Sequence, residues 1–397
     1  MILHNQELRN SSNLSKKIPP VKIICDQQTN QRRDPMKQYN YTGKIVYVGI
    51  DVHKKTYSCV AICEGQIVKR DTMPAKPEIL ISYLKNKFSG AAKINTAYEA
   101  GFSGFHLHRY LISQGINNIV VHPGSIEVAS RDRVKTDKRD ALKIAKQLAA
   151  GRLRGIYVPT QEREEKRSIT RLRSSILKLR HQVGNQFKAL LFTQGLIDME
   201  DDTVICEKWL SKKLHEIEKS GYSKDFCYSV NQYAQQWIQL NKRMKEVEKR
   251  LEVQASEDIN LQQIYESAPG IGLIHGRQLA NELDDMKQFN NEKQLFSFTG
   301  LTPSEHSSGE HVRHGHITRQ GSSILRKILI EASWVAIYQD PSLEEIFNRL
   351  ACKRGKRRAI VGVARRLIGR IRACVLTGTL YEIKSTQEAC SLHKKVA

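Results

Sequence analysis

The chain of 397 residues carries 64 Lys and Arg against 41 Asp and Glu, a formal charge of +23. No fold requires such an excess, so it points to a polyanionic partner, nucleic acid first, because neutralising phosphates releases counterions. With 40% hydrophobic residues the chain can build two or three domain cores, whereas no stretch approaches the ~20 apolar residues of a membrane span and the start MILHNQELRN lacks a signal-peptide core. A cytoplasmic protein with no membrane partner, nucleoid-associated when bound to DNA, is expected. Eight cysteines at 25, 59, 63, 206, 227, 352, 374 and 390 form no Cys-x-x-Cys pair, which argues against structural zinc and a disulfide framework.

Residues 1–43 are polar, basic and broken by Pro19, Pro20 and Pro35, so a disordered tail is expected. In KIVYVGIDVHK, residues 44–54, continuous Val and Ile predict a central strand covered on both faces. It stops at Asp51. An ionised carboxylate at the end of a buried strand is costly unless paired; a divalent metal is one partner, a solvated turn the bland alternative. Strands over 57–63 and 66–72 follow, joined by Glu64-Gly65 as a hairpin turn. A helix over 77–87 comes next, then a strand over 94–99 that also ends in a carboxylate, Glu99. Gly101-Phe102-Ser103-Gly104 breaks the chain before a helix over 105–114 and a strand over 118–121. The order β-β-β-α-β-α-β predicts a mixed sheet flanked by helices.

The stretch RDRVKTDKRDALKIAKQLAAGRLR, residues 131–154, offers Arg131, Arg133, Lys135, Lys138 and Arg139 to a phosphate backbone. A helix over 136–149 would place Asp137 and Asp140 on one face. Aspartates in a first helical turn also simply suit the dipole. Over 164–195, Ile169, Leu172, Ile176, Leu179, Val183, Phe187 and Leu190 recur as an a/d seam, and Tyr233, Trp237, Leu240, Met244, Val247 and Leu251 form a second. The two could pair within the chain or between protomers.

From about residue 261 the pattern becomes compact. SAPGIG at 267–272 before a helical run over 273–283 resembles a helix-hairpin-helix turn in which Gly270 and Gly272 let backbone N–H groups approach a phosphate; a plain tight turn is the alternative. Residues 296–321, FSFTGLTPSEHSSGEHVRHGHITRQG, read as a long functional loop. Ser307 and Ser308 are its nucleophile candidates against a role as turn or cap serines. His306, His311, His314 and His316 lack a partner cluster with zinc spacing. Residues 346–381 hold ten Lys or Arg and no acid. Arg358, Arg365 and Arg372 are expected on one helical stripe facing phosphates, opposite Ile360, Val363, Leu367, Ile371 and Cys374.

Asp51, Glu99, Asp137 and Asp140, from three elements, can supply the oxygen ligands that Mg²⁺ demands, and phosphoryl transfer on nucleic acid commonly uses two such ions. GIDVHK around Asp51, YEAG around Glu99 and KTDKRDA around Asp137 and Asp140 resemble the DEDD transposases of bacterial insertion sequences, relatives of the pilin gene-inverting recombinases. APGIG, FTGLTP, HSSGE, GHITRQGSSILRKIL and the basic terminal helix resemble that family's second domain, with the motifs in family order over residues 45–376. The resemblance implies an RNase H-like, RuvC-like α/β domain over residues 44–158, a coiled coil over 159–258, and a mainly helical transposase domain over 259–385, with tails at 1–43 and 386–397. It implies Mg²⁺ on the four acids and a serine that attacks DNA to leave a phosphoserine and a 3′ hydroxyl; Ser308, before Gly309, fits better than Ser307. It also implies donor and target DNA chosen by a structured noncoding guide RNA, with Arg319 among the contacts. A dimer or tetramer is expected. The alternative is a metal-dependent nuclease or junction resolvase using activated water.

Overall fold

The computed structural model of the chain describes residues 39–127, 137–198, 203–308 and 311–383 and divides into two compact units, Met1–Ile156 and Tyr157–Ala397. The first unit is built on a five-stranded sheet of β1 (Ile45–Val52), β2 (Thr56–Cys63), β3 (Gln66–Pro74), β4 (Lys93–Glu99) and β5 (Asn117–Val121), with α1 (Pro77–Lys87), α2 (His106–Ser113) and α3 (Asp137–Ala149). Spatial order is β3-β2-β1-β4-β5, so the strand that ends near Asp51 is central, as its unbroken Val/Ile run requires. β1 pairs antiparallel with β2 and parallel with β4. The Glu64-Gly65 turn has φ of 49° and 77° at its two residues, the doubly positive pattern of a type I′ hairpin. Val46, Val48 and Ile50 are fully buried.

Helix α3 docks on this sheet at a glycine. A Cβ added to Gly49 would lie 2.2 Å from the Ala141 carbonyl oxygen and 2.4 Å from the Ala145 nitrogen, so the backbone of α3 rests directly on β1. Ala141 and Ala145 also pack on Val60 and Ile62, and Ile144 packs on Ala97 and Val121. Small residues on both partners permit this approach.

The second unit begins with α4 (Gln161–Phe192), α5 (Glu207–Lys219) and α6 (Lys224–Glu257). Arg173 bonds Glu248 at 2.6 Å, Arg180 bonds Asn241 at 2.7 Å, and Gly184 faces Trp237. Residue numbers rise on α4 as they fall on α6, so the two long helices pair antiparallel within one chain. The α6 seam is buried or half-buried as expected, but Leu172 and Leu179 on α4 are 46% and 48% exposed. The seam expectation fails at those two positions, where the adjacent Arg173 and Arg180 make the contacts with α6 instead, whereas Ile169, Ile176, Val183, Phe187 and Leu190 pack with α6 residues. Helix α5 was hidden in the polar interruption; its Leu210 and Ile217 are buried against Phe187, Leu191 and Trp237.

The remainder comprises α7 (Ile259–Glu266), α8 (Leu273–Leu283), α9 (Glu292–Thr299), β6 (Pro303–Ser308), β7 (His311–Ile317), α10 (Ser323–Gln339), α11 (Pro341–Arg354) and α12 (Lys356–Thr377). One apolar core joins the helices, including Leu279, Leu283, Leu329, Val363 and Leu367. Helix α8 is tied to α4 by buried polar contacts, with Arg167 donating to the Glu282 carbonyl at 2.7 Å and Asn281 to Thr170 at 3.2 Å. The expected long loop over 296–321 is instead the end of α9 followed by a β-hairpin. Polar composition concealed it, since an isolated two-stranded ribbon needs no alternating apolar face when it builds no core of its own. Among the described residues no helix is long and apolar enough to cross a membrane.

Candidate active site

Parallel pairing of Ile50 with Tyr98 sets Asp51 beside Glu99 at the carboxyl ends of adjacent strands. Asp51 lies two residues from Gly49 and Glu99 two residues from Ala97, so both share the face that α3 covers. Asp140 is the residue before Ala141, which touches Gly49. The fold thus sets Asp51 and Glu99 side by side and lays α3, whose first turn carries Asp140, on the same sheet face.

Their present partners differ. Asp51 is 19% exposed and its Oδ2 lies 3.0 Å from His53 Nε2, while Asp140 Oδ1 pairs with Lys143 Nζ at 3.3 Å. Glu99 is exposed. The donors are carboxylate oxygens, the set hard divalent cations prefer, yet no group of three His, Cys, Asp or Glu stands close enough to hold an ion among the described residues. Asp137 is the first residue of α3, and its side chain, like that of Lys138, lies outside the described residues; Arg131, Arg133 and Lys135 do so entirely. Arg139 is exposed.

In the second unit Ser307 and Ser308 end β6, and Ser308 pairs with His311 across a two-residue connection, which puts Ser308 at the hairpin tip. The side chains of both serines lie outside the described residues. At the base of the hairpin Arg319 is exposed with a φ of 57°, an unfavourable backbone for a residue with a Cβ. Arg326 was not anticipated. Burial, and after it the charge of Arg319, hold its pKa below the ordinary arginine value. Two like charges beside each other and a positive φ are the signs sequence cannot display.

Three expected phosphate contacts change character. Gly270 has a φ of 76° and a Cβ there would meet the Ala332 carbonyl oxygen at 2.4 Å, so this glycine is required by packing on α10. Gly272 is exposed at the start of α8. On α12 only Arg358 of the expected stripe is exposed. Arg365 is half-buried over the Phe296 ring at 4.8 Å, and half-buried Arg372 donates to the Phe289 carbonyl at 2.7 Å. The single stripe fails because neighbouring α9 and the segment before it cover part of that face. The exposed cations gather instead at Lys353, Arg354, Lys356, Arg357 and Arg358, around Gly355.

Comparison with known proteins bears on these two groups separately. A family model described as a transposase, the IS110 DEDD type, matches residues 48–193, and one described as transposase IS116/IS110/IS902 family matches residues 262–348. The chain belongs to the IS110/IS116 family of DEDD transposases. This transposase is 27% identical to the y4qE protein of Sinorhizobium fredii, itself assigned as a transposase, over 74% of this chain and 72% of the relative. It is 36% identical to the transposase for insertion sequence element IS1533 of Leptospira borgpetersenii over 33% and 39%. To the transposase for insertion sequence element IS1111A of Coxiella burnetii it is 23% identical over 79% and 84%. It is therefore a DNA-processing enzyme of an insertion sequence. DEDD transposases usually use divalent metal ions, and the carboxylates at the ends of β1 and β4 and the start of α3 are the oxygen donors available here.

Proposed function

We propose that this transposase breaks and rejoins DNA strands with metal-binding carboxylates and with Ser308 as nucleophile. The observation that supports the reading is the β1–β4 register, which sets Asp51 beside Glu99, with α3 docked on Gly49 carrying Asp140 over the same sheet face; Asp137 would complete the set. Those four acids would hold two Mg²⁺ ions, which neutralise charge on the reacting phosphate when bound. Serine hydroxyls are poor nucleophiles at neutral pH and need such activation. The Ser308 Oγ attacks phosphorus, its proton is lost to solvent, the P–O3′ bond breaks and the departing 3′ oxygen takes up a proton. A phosphoserine linkage and a 3′ hydroxyl result, and the reverse attack by a new 3′ hydroxyl joins donor to target. The hairpin-tip position of Ser308 supports this role over one for Ser307, and Arg319 with Arg326, at the base of the hairpin, would donate to the phosphate backbone farther along the DNA.

A structured noncoding RNA that pairs with donor and target DNA would choose the strands, as the family resemblance implies and the charge of +23 accommodates. Exposed Leu172 and Leu179, seven residues apart, would meet a second protomer in the expected dimer or tetramer. The test is to incubate protein, RNA transcribed from the flanks of its gene, junction DNA and Mg²⁺, denature, and digest. A DNA-linked peptide containing Ser308 is expected. Cleaved ends without any protein adduct would assign the alternative, a nuclease or junction resolvase that activates water with the same acids.

A further inference from the structure

Just beyond Glu99 the chain makes a tight turn that presents an aromatic ring to water. Gly104 N donates to the Gly101 carbonyl at 3.2 Å, closing the turn. The Tyr98 hydroxyl donates to the Gly104 carbonyl at 3.0 Å, while Tyr98 itself is fully buried. The turn is therefore tied to a buried side chain, and α2 begins two residues later at His106. Phe102 sits at its tip, 73% exposed, the most exposed phenylalanine among the described residues. Single exposed apolar residues are common on surfaces. This one differs in being carried on an anchored turn three residues from a carboxylate of the site, with a second ring pair close by in sequence, since His106 and Tyr110 stack with centroids 6.4 Å apart and planes 18° from parallel.

Resting on the reading of the carboxylates as the DNA-cleaving site, we infer that Phe102 is the base-stacking residue of that site. It holds an unpaired nucleotide of the DNA strand next to the phosphate to be cut. The chemistry favours a base over other occupants. Every base offers an apolar π-face, aromatic side chains bind single strands by stacking without sequence preference, and the chain as a whole carries a net charge of +23 that favours a polyanion. Where a strand is opened at the site, an aromatic wedge compensates the stacking that is lost. Phe102 makes no bond to the reacting atoms, so it is a positioning residue.

The experiment uses the full chain with a single-stranded oligothymidylate in which some thymines are replaced by 5-iodouracil, in EDTA so that no cleavage contributes. Irradiation joins the iodouracil to an aromatic ring stacked on it. The adduct is expected on Phe102 within the tryptic peptide running from Ile94 to Arg109. Phe102→Ala and Phe102→Leu are expected to lose it and to bind the oligonucleotide on the order of tenfold more weakly, and Phe102→Trp to retain both. Adducts confined to other peptides while the DNA is bound, or wild-type affinity in Phe102→Leu, would overturn the inference. Because the assay needs no metal, an adduct on Phe102 in a protein that never cleaves DNA would defeat the proposed function alone, whereas Asp51-dependent cleavage without the adduct would defeat this inference alone.

Discussion

Asp51 occupies a position where a carboxylate is expensive to maintain, and what surrounds it decides whether that expense is structural or chemical. Its bond to His53 joins two residues of the same motif, so the fold gains little from that pairing. Asp51→Asn is therefore expected to leave the melting temperature nearly unchanged while lowering DNA cleavage about a hundredfold or more, because a neutral amide is a far weaker ligand for a divalent cation. Thermal melting and a cleavage time course measure the two effects side by side. Gly49 is the opposite case. Its Cβ would collide with the backbone of Ala141 and Ala145, so Gly49→Ala must push α3 off β1 and is expected to cost about 1–3 kcal/mol of stability. Activity should fall with it, since Asp140 moves with the helix. A denaturant titration of the variant checks the stability loss.

At the scale of elements, the first unit was readable nearly strand by strand, because β1 to β5 announce themselves through Val and Ile runs interrupted by Gly, Pro and a Glu-Gly turn. That β4 lies beside β1 and α3 rests on the same face was not readable from pattern alone: it depends on the β1–β4 register and on one glycine contact. In the second unit the α6 seam was legible and the α4 seam only in part, for Arg173 and Arg180 contribute ends that bond and stems that pack, which periodicity counts as polar. The hairpin bearing Ser308 was hidden for the same reason, its residues being polar on both faces. One element also carries a pH dependence. His108 on α2 has its pKa held below the ordinary histidine value by burial and, less, by Arg109. Asn118 Nδ2 lies 2.8 Å from its Nδ1, while Thr96 donates to Asn118 Oδ1 at 2.7 Å, so Nδ1 accepts and the ring is neutral. The unfolded chain then binds the proton more readily than the native one, and stability should be complete above about pH 6.5 and decline as pH falls below it. His108→Gln should flatten that decline, as read from melting temperature against pH.

For the whole molecule, the surplus of positive charge is the property that makes a polyanion a partner at all, and the structure redistributes where it acts. Lys353, Arg354, Lys356, Arg357 and Arg358 are exposed together around Gly355, and the last three stand in the first turn of α12, where cations oppose the helix dipole. Replacing these five by Gln is expected to weaken nucleic-acid binding and to reduce the slope of log affinity against log salt by several units, about one for each phosphate that is no longer neutralised. Arg365→Ala and Arg372→Ala should behave differently, lowering stability by roughly 0.5–1.5 kcal/mol, since one removes a cation from the Phe296 ring and the other a hydrogen bond, with little change in that slope. Filter binding across about 50 to 200 mM salt separates the two groups.

The catalytic expectations depend on acids far apart in the chain sharing one metal pocket, and that is open to direct mapping. With Fe²⁺ in place of Mg²⁺, ascorbate and peroxide generate hydroxyl radicals at the bound ion that cut the nearby backbone. The account predicts cuts at three places, around Asp51, around Glu99 and across Asp137 to Asp140, all of them abolished together in Asp51→Asn. Cuts at one of these stretches alone, or a pattern that Asp51→Asn leaves intact, would contradict it.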